Sequence, residues 1–369
     1  MLGLTSKASR MATVAVIGTR GFPGVQGGVE MHSEHLYPLM QDVRFRVYRR
    51  KAYLSAASKK KTYPNIDFVD LPSSRIKGVE ALLHTLLCVL HIAFHRPDAV
   101  HVHNMGPGMF IPVLKLLRLP VVMTYHSVNY EHAKWNGWQR RLLRWCEKLS
   151  LRYSDRIIFV NKFQMEKYDE QVRSKSVYIP NGIDTVTRSQ STSFLEARGI
   201  RPGKYLLGVG RLTPEKGFEY LIEAAGALPQ VEQVVIAGGS DHDTAYFEKL
   251  KSLDTGHKVV FTGFTSGEDL RQLYSHARLF VLPSLNEGFP LVMLEAMSYE
   301  LPMVVSDITA THLVNLPAAD YFQASDTADI ARVIARKLEQ DGPSHVSYDL
   351  RPFDWEQVAR LTRQQLAGL

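Results

Sequence analysis

The chain has 369 residues, of which 45% are hydrophobic and 22% charged, with a net charge of +7. That length is too great for one hydrophobic core, so two domains are expected, and the composition excludes collagen-like, disordered and disulfide-rich proteins. No stretch reaches the roughly 18–20 apolar residues of a membrane-spanning helix. The longest apolar segment, ALLHTLLCVLHIAF (81–94), is short and carries two histidines, so it is expected to be a core helix. Residues 1–10 are expected to be a short extension before the first strand, not a signal peptide.

Strand and helix patterns alternate along the chain. Apolar runs that end in glycine or polar residues are typical of buried parallel strands. The first half contains six such runs, at 12–18, 44–49, 67–72, 99–104, 121–126 and 156–161. After a polar segment, five more follow at 205–210, 233–239, 258–263, 279–284 and 303–307. This alternation predicts an α/β protein with two doubly wound, Rossmann-like domains.

The polar segment at 181–193 marks the expected domain junction. The predicted domains are residues 1–183 and 184–353, with a C-terminal helix at 354–369 that crosses back to the first domain. Two such sheets are expected to face a cleft. Ligands of doubly wound sheets bind beyond the carboxyl ends of the strands, so those ends are where functional residues are sought.

The loop after the first strand, GTRGFPGVQGGVE (18–30), lacks the G-x-G-x-x-G spacing of a dinucleotide-binding loop. The second strand also runs into basic residues and not into an acidic residue for a ribose, which disfavours a dehydrogenase. Gly27 and Gly28 precede a helix, where glycine lets backbone N–H groups approach an anion. A plain tight turn is the alternative interpretation of this glycine pair.

In the second domain, Arg211 follows a strand and Lys216 lies five residues later. This pair could neutralise a pyrophosphate, because an Arg guanidinium can donate two parallel hydrogen bonds and a Lys ammonium acts as a point charge. In the segment SLNEGFPLVMLEAM, Glu287 precedes the predicted start of a helix at Gly288, Phe289, Pro290 and Leu291, and Glu295 lies on that helix. Each glutamate alone would be read as a solvated or capping residue, but together with the cations they indicate a binding site.

The chain resembles the GT-B glycosyltransferases of family 4 from residue 12 onward. The motifs that carry the resemblance are GGVE (27–30), TYH (124–126), PNGID (180–184), GRLTPEKG (210–217), FTGF (261–264) and PSLNEGFPLVMLEAM (283–297). The N-terminal segments look most like bacterial enzymes that build capsule, exopolysaccharide or O-antigen chains. The resemblance implies a retaining hexosyltransferase that moves a sugar from a nucleoside-diphosphate donor to a saccharide or lipid-linked saccharide.

The resemblance also implies roles for individual residues. Arg211 and Lys216 would bind the donor diphosphate, Glu295 the ribose, and Glu287 the hydroxyls of the donor sugar. His126 would lie at the reacting centre. The remaining donor-binding residues would be Gly27 and Gly28 across from the phosphates, Phe264 beside the base, and Gly288, Phe289, Pro290 and Leu291 at the helix start. A UDP-sugar is the favoured donor, with GDP- and dTDP-sugars as alternatives.

No cofactor or metal ion is expected. The D-x-D sequence DHD (241–243) lies in a polar loop, and no His/Cys cluster has metal spacing. The family's mechanism would then be a front-face substitution in which the leaving phosphate takes the acceptor's proton. The chain departs from the family pattern at Glu300, where glycine is common, and at Asn161, where serine or threonine is usual.

The positive charge lies in the first half of the chain, since residues 1–184 carry 27 Lys and Arg against 14 Asp and Glu. The helical segment 134–152 presents Arg140, Arg144, Lys148 and Arg152 at four-residue spacing. Either this is a core helix with a solvated basic face, or the face meets the anionic inner leaflet of the plasma membrane. A cytoplasmic, peripheral enzyme that binds no nucleic acid is therefore expected. A non-hydrolysing nucleotide-sugar epimerase and a non-catalytic nucleotide-sugar-binding protein remain the alternatives.

Overall fold

The computed structural model describes residues 11–25, 27–74, 79–128, 137–239, 244–339 and 345–367. The chain forms two compact units. The first contains Met1–Gly182 and Phe353–Leu369, and the second contains Ile183–Pro352. The chain therefore passes between the units twice, after Gly182 and after Pro352.

The first unit is built on a parallel sheet of seven strands. Its strands are β1 (Thr13–Ile17), β2 (Arg44–Arg50), β3 (Ile66–Leu71), β4 (Ala99–His103), β5 (Val121–Tyr125), β6 (Arg156–Phe159) and β7 (Ser176–Tyr178). Their order across the sheet is β3-β2-β1-β4-β5-β6-β7. The order reverses direction between β1 and β4, which is the usual place for a ligand in a doubly wound sheet.

Helices cover both faces of this sheet, which is why its central strands are apolar on both sides. They are α1 (Gly28–Leu39), α2 (Ala56–Lys60), α3 (Val79–Phe94), α4 (Met105–Gly108), α5 (Ile111–Leu116), α6 (Gly137–Tyr153), α7 (Lys162–Glu166) and α8 (Glu170–Arg173). Val14 and Val16 of β1 enter the core that contains α1. Ala15 and Ile17 enter the opposite core, to which α3, α4, α5 and α6 contribute.

The second unit has a parallel sheet of six strands in the order β10-β9-β8-β11-β12-β13. The strands are β8 (Tyr205–Val209), β9 (Gln233–Ala237), β10 (Val259–Gly263), β11 (Leu279–Leu282), β12 (Met303–Ser306) and β13 (Tyr321–Phe322). The helices are α9 (Ser193–Glu196), α10 (Phe218–Gly226), α11 (Thr244–Leu253), α12 (Gly267–His276), α13 (Leu291–Ser298) and α14 (Thr327–Glu339). Short 3-10 turns lie at Lys51–Tyr53, Pro214–Lys216, Thr311–Leu313, Ala318–Asp320 and Arg351–Phe353.

The C-terminal helix α15 (Trp355–Ala367) belongs to the first unit and packs on α1. Trp355, Val358 and Leu366 are buried in the same core as Leu36 of α1. The indole of Trp355 lies directly over Gly182, where a Cβ would come within 2.3 Å of Trp355 Cδ2. Glycine at the unit boundary therefore makes room for the ring that anchors the C-terminal helix.

The predicted fold class, two doubly wound α/β domains, is confirmed. Strands β7 and β13 were not predicted, because runs of three and two residues are too short to show a pattern. Helix α3 was expected to be a core helix, and this was wrong for half of its surface. Its exposed large hydrophobic side chains are Leu82, Leu83, Leu86, Leu90 and Phe94. Within the described ranges, no helix combines the length and the apolar character that a bilayer crossing requires.

The two departures from the family pattern have local explanations. Asn161 caps the N-terminus of α7, where its side chain accepts a hydrogen bond of 3.1 Å from the Gln164 amide, as serine or threonine would. Glu300 ends α13 with a φ of 55°. The Leu301 amide donates to the Ala296 carbonyl at 3.0 Å, which is the helix-ending turn that favours glycine in the left-handed position.

We expect Glu300→Gly to stabilise the second unit. A left-handed conformation costs a residue with a Cβ roughly 1–2 kcal/mol, and the extra freedom of unfolded glycine offsets about 0.5–1 kcal/mol of that gain. Urea unfolding followed by circular dichroism should show a net gain of about 0.5–1 kcal/mol. Glu300→Ala is the matched control, since it removes the same charge but keeps the Cβ. Equal stability of the Gly and Ala variants would contradict this explanation.

Candidate functional site

In the second unit, the carboxyl ends of three adjacent strands are joined by backbone hydrogen bonds. The Gly210 amide donates to Ala237 O at 2.9 Å, and the Gly238 amide donates to Gly263 O at 2.9 Å. Gly238 has a φ of 159°, and a Cβ there would lie 1.7 Å from Gly210 O. The close approach of the β8 and β9 ends therefore requires glycine, and it fixes the base of the loop that carries Arg211.

The loop GRLTPEKG is held against the loop after β11. Its 3-10 turn ends at Gly217, whose φ is 64° and whose Cβ position would lie 2.2 Å from Pro283 O. The Leu285 amide donates to Glu215 O at 2.9 Å. Both contacts are between backbone atoms, so the two loops that carry the predicted donor-binding residues form one rigid edge.

Lys216 and Glu287 form an ion pair across these loops. Lys216 Nζ donates to Glu287 Oε1 at 2.6 Å, and their side chains are 15% and 10% exposed. Ser284 Oγ donates to the same carboxylate oxygen at 2.7 Å. Separate roles were predicted for these two residues, and their contact was not predicted. Because an ammonium has three N–H groups, the pair fixes Lys216 while leaving it able to bind a phosphate.

Arg211 is more exposed than Lys216. Its side chain is 41% exposed, and its guanidinium lies 3.8 Å from a Glu215 oxygen. A guanidinium at this position can bind a diphosphate through two parallel hydrogen bonds. The edge of the second sheet thus presents one fixed and one more exposed cation.

Glu295 lies on α13 and is oriented by a tyrosine. The Tyr274 hydroxyl donates to Glu295 Oε2 at 2.6 Å, and the Tyr274 ring stacks on Tyr299 with centroids 5.1 Å apart. Burial and the Glu295 charge raise the pKa of Tyr274 well above its ordinary value, so the tyrosine is a permanent donor. One carboxylate oxygen therefore has a fixed partner, which orients the group for a diol.

The start of α13 carries the other predicted contacts of the donor sugar. Gly288 is half-buried, Phe289 and Pro290 are buried, and Leu291 is the first helical residue. Pro290 occupies the N-cap position without a side-chain cap. The Met293 amide donates to the Pro290 carbonyl at 2.9 Å. The Leu291 amide, at the first helical position, has no acceptor within the helix, so it is suited to bind a ligand oxygen.

Phe264 lies at the end of β10 and its side chain is exposed. A Cβ on Gly239 would be 3.7 Å from the Phe264 Cβ, so the two strand ends are neighbours. Thr213 Oγ1, in the loop of Arg211, is buried and has no hydrogen-bond partner among the described residues. These groups extend the edge beyond the ion pair, on the side of β9 and β10.

In the first unit, Gly27 and Gly28 lie at the start of α1. Gly27 has a φ of 150°, and a Cβ there would be 2.0 Å from Glu30 Oε2. The Glu30 carboxylate folds back and accepts a hydrogen bond of 2.8 Å from the Arg20 amide. Burial raises the pKa of Glu30. Gly27 thus makes room for the carboxylate that ties the loop after β1 to α1, while Gly28 stays exposed.

His126 follows β5 and is half-buried. Its Nε2 lies 2.9 Å from His103 Nδ1, and the two rings stack with centroids 5.2 Å apart. The His32 ring stands edge-on to His126 at 5.1 Å, and His32 Nδ1 is 2.9 Å from Asn181 Oδ1. The predicted reacting-centre histidine is therefore one member of a group.

The histidines of this group are held neutral. Burial lowers the pKa of His32 to about 4 and of His101 to about 3. Burial, together with the neighbouring histidines, also lowers the pKa of His103 and of His126 well below the ordinary value. At neutral pH this part of the first unit supplies polar contacts without positive charge.

Four members of this group were not predicted from the sequence: His32, His101, His103 and Tyr37. A signal was present in AVHVHN (99–104), because residues two apart in a strand point to the same face. Both histidines of β4 are fully buried and meet the hydroxyl of Tyr37 on α1. The contribution of α1 is a tertiary contact that no local pattern indicates.

Across the described residues, no group of three or more His, Cys, Asp or Glu side chains is arranged to hold a metal ion. The DHD sequence at 241–243 lies outside the described residues, as does the beginning of the helical segment predicted at 134–152.

Family models match most of the chain in two segments. The model described as Glycosyltransferase Family 4 matches residues 26–187. The model described as Glycosyl transferases group 1 matches residues 194–346. The first match falls almost wholly in the first unit, and the second match falls in the second unit.

Individual relatives agree with the family models. An uncharacterized glycosyltransferase of Methanocaldococcus jannaschii is 32% identical over 57% of this chain and 58% of that protein. A UDP-Gal:alpha-D-GlcNAc-diphosphoundecaprenol alpha-1,3-galactosyltransferase of Escherichia coli is 25% identical over 58% of this chain and 59% of that protein. The chain thus spans less than two thirds of the length of either relative.

Solved structures show the same fold over nearly the whole chain. Alr3699/HepE of Anabaena in complex with UDP and glucose matches with a TM-score of 0.77 at 19% identity, over 97% of this chain and 100% of that chain. Sucrose-phosphate synthase of Thermosynechococcus elongatus matches with a TM-score of 0.80 at 22% identity, over 97% and 100% of the two chains.

Proposed function

This chain belongs to the family 4 glycosyltransferases of the GT-B fold, and from that membership we propose that it transfers a sugar, with retention, from a nucleoside-diphosphate sugar to a saccharide or lipid-linked saccharide. The observation that carries the proposal is the rigid edge of the second unit. There Lys216, Glu287 and Arg211 come together at the carboxyl ends of the strands, with Glu295 on the helix that follows.

The donor is a UDP-sugar in this proposal. Arg211 and Lys216 bind the diphosphate, Glu295 accepts hydrogen bonds from the ribose diol, and Phe264 lies beside the base. The solved Anabaena protein of the same fold was crystallised with UDP and with UDP-glucose, which supports the choice of base. Glu287 and the amides near Phe289 and Leu291 hold the hydroxyls of the donor sugar.

The proposed reaction is a front-face substitution. The bond from the anomeric carbon to the donor phosphate breaks, and a bond to the acceptor oxygen forms on the same face of the sugar. The proton of the acceptor hydroxyl passes to the leaving phosphate oxygen. His126 contacts the sugar or the acceptor. Side-chain cations and helix amides stabilise the charge that develops on the phosphate, so the reaction requires no metal ion.

Transfer of labelled sugar from a panel of nucleotide-sugars tests this assignment. Glu295→Gln should mainly raise the donor KM, because ribose contacts are similar in the ground and transition states. Glu287→Gln should lower kcat roughly 100-fold, because it loosens Lys216 and the sugar contacts as charge develops. Glu248→Gln, an exposed residue of α11, is the control and should change neither constant. Unchanged kinetics in both site variants would refute the site.

Activity should survive EDTA, and Arg211→Ala should reduce kcat by roughly 10²–10³-fold, or about 3 kcal/mol of transition-state stabilisation. Arg211→Lys should recover part of the lost kcat, since it restores the positive charge without the two parallel hydrogen bonds of a guanidinium. Activity that disappears with chelation and returns with magnesium or manganese would show that the cations do not replace a metal.

For the acceptor, we propose a lipid-linked saccharide reached at an anionic membrane surface. The Escherichia coli relative acts, by its name, on a diphosphoundecaprenol-linked sugar. In this chain, helices α3, α5 and α6 contribute to one core of the first unit, so they share one face of its sheet. Their outward surface, here called the α3–α6 face, carries both apolar and basic side chains.

The α3–α6 face has an unusual share of the exposed apolar side chains. Of the 16 large hydrophobic side chains exposed in the described ranges, 11 lie on α3, α5 and α6, and two lie in the second unit. Phe94 and Leu116 are 85% and 83% exposed, and Trp138 is 71% exposed. Trp145 of α6 is exposed as well. Helix α6 instead buries Cys146, Glu147, Ser150 and Leu151.

The same helices, and the residues that follow them, also carry exposed basic side chains. On α6 the exposed residues include Arg140, Arg141, Arg144, Lys148 and Arg152. Beyond the ends of α3 and α5, Arg96 donates to the Arg118 carbonyl at 3.2 Å, and each arginine lies two residues after an exposed apolar side chain, Phe94 or Leu116. Exposed apolar groups bordered by cations match the interface of an anionic bilayer.

Flotation with anionic vesicles tests the membrane contact. Each Lys or Arg near the surface contributes about 1 kcal/mol, so binding should fall steeply between low and physiological salt. Charge reversal of Arg140, Arg144 and Lys148 to Glu should abolish flotation, whereas the same reversal of the exposed Arg201, Lys204 and Lys251 in the second unit should not. Donor hydrolysis should persist in both. Vesicle binding by the α6 variant equal to that of the wild type would refute this face.

A further inference from the structure

A buried chain of hydrogen bonds runs from Thr124 to His126 through the first unit. Thr124 Oγ1 is 2.7 Å from His101 Nε2, and His101 Nδ1 is 2.9 Å from the Tyr37 hydroxyl. The same hydroxyl is 2.5 Å from His103 Nε2, and His103 Nδ1 is 2.9 Å from His126 Nε2. Thr124, His101, Tyr37 and His103 are all essentially inaccessible to solvent.

Counting protons leaves two arrangements for this chain. A neutral imidazole has one N–H and one lone pair, and a hydroxyl donates a single proton. Each histidine with two neighbours in the chain must therefore donate to one and accept from the other. The Tyr37 hydroxyl has two lone pairs and could accept from both histidines, but its own buried proton would then have no acceptor, so it too donates to one and accepts from the other. Either all the bonds point from Thr124 toward His126, or all point from His126 toward Thr124.

Thr124 decides between the two arrangements. Apart from His101, no described residue makes a hydrogen bond with Thr124 Oγ1. If the bonds pointed toward Thr124, its hydroxyl proton would be buried without an acceptor, which is the costly case for a buried polar group. If the bonds point away from Thr124, every donor and acceptor between it and His126 is satisfied.

We propose that Thr124, His101, Tyr37 and His103 are positioning residues that hold His126 as the neutral tautomer with its proton on Nδ1. His103 donates to His126 Nε2, so the only polar atom that His126 offers is the Nδ1–H donor. This assignment makes His126 a hydrogen-bond donor to a substrate oxygen and not a base. It deepens the proposed function, and it rests on that function for the identity of the ligand. The acceptor's proton then goes to the leaving phosphate.

Surrounding groups support the assignment. Among the described residues, none forms a hydrogen bond with His126 Nδ1, so it can contact a ligand. His32, whose ring packs edge-on to His126, directs its own Nδ1 to Asn181. Burial and the neighbouring histidines hold the pKa of His126 low, which keeps the doubly protonated ring from forming at neutral pH.

Nitrogen-15 NMR of histidine-labelled protein tests the tautomer directly. The chain has 14 histidines, and the His126 signals are identified by their absence in His126→Asn. The expected result is a protonated Nδ1 and an unprotonated Nε2 at neutral pH. Thr124→Val removes the group that sets the direction and should give a mixture, whereas Thr124→Ser keeps the hydroxyl and should give the wild-type spectrum. A protonated Nε2 in the wild type would overturn the proposal, even if a variant fails to fold.

Kinetics separate positioning from a structural role. Tyr37→Phe breaks the chain of bonds and should lower kcat by roughly 10–100-fold with little change in donor KM, as when the partners that orient a metal-bound histidine are removed. His126→Asn retains an N–H near the Nδ1 position and should keep more activity than His126→Gln, which places its amide near Nε2. Higher activity of the Gln variant would contradict the assignment. The NMR result stands without catalysis, so loss of the proposed function and loss of this inference can be told apart.

Discussion

The ion pair between Lys216 and Glu287 joins two loops that lie 71 residues apart in the chain. Both side chains are mostly buried, so the attraction is screened less than that of a surface pair, and the hydrogen bond from Ser284 offsets part of the desolvation cost. The loops that carry the pair are held in place by close backbone contacts, which the absence of a Cβ at Gly217 and Gly238 allows. The cation that meets the donor diphosphate in the proposed reaction is therefore in place before the ligand arrives, which is how electrostatic stabilisation avoids a reorganisation cost.

Local patterns predicted the two sheets and the residues at their carboxyl ends, because long apolar runs and strand-end motifs are properties of neighbouring residues. The pairing of Lys216 with Glu287 could not be predicted in this way, since it depends on how β8 and β11 lie beside each other. The exposure of α3 was missed for a related reason. A helix that is apolar on nearly all sides shows no sign of which side is covered. The alternation of His101 and His103 did indicate a shared face, whereas the partner Tyr37 comes from another element.

The two units differ in their surfaces as well as in their charge. Exposed apolar side chains are concentrated on α3, α5 and α6 of the basic first unit, while in the second unit Phe264 and Leu285 are the two large hydrophobic side chains exposed in the described ranges. A surface of this kind would cost solubility unless it had a partner. In the proposed function, the first unit meets a bilayer that carries the acceptor, and the second unit handles a water-soluble donor. The separation of these surfaces then follows from the separate sources of the two substrates.

Charge is also divided within the proposed reaction. The donor sugar passes through an oxocarbenium-like state, in which positive charge develops at the anomeric carbon. A histidine that carried a proton on both nitrogens would repel that charge, because an unscreened cation in a buried site acts strongly at short range. His32, His101, His103 and His126 instead have lowered pKa values and stay neutral. The cations Arg211 and Lys216 are carried by the edge that binds phosphate, where negative charge develops. Neutral hydrogen-bond donors near the sugar and cations near the leaving phosphate thus meet one electrostatic requirement, which is to match the charges that develop in the transition state.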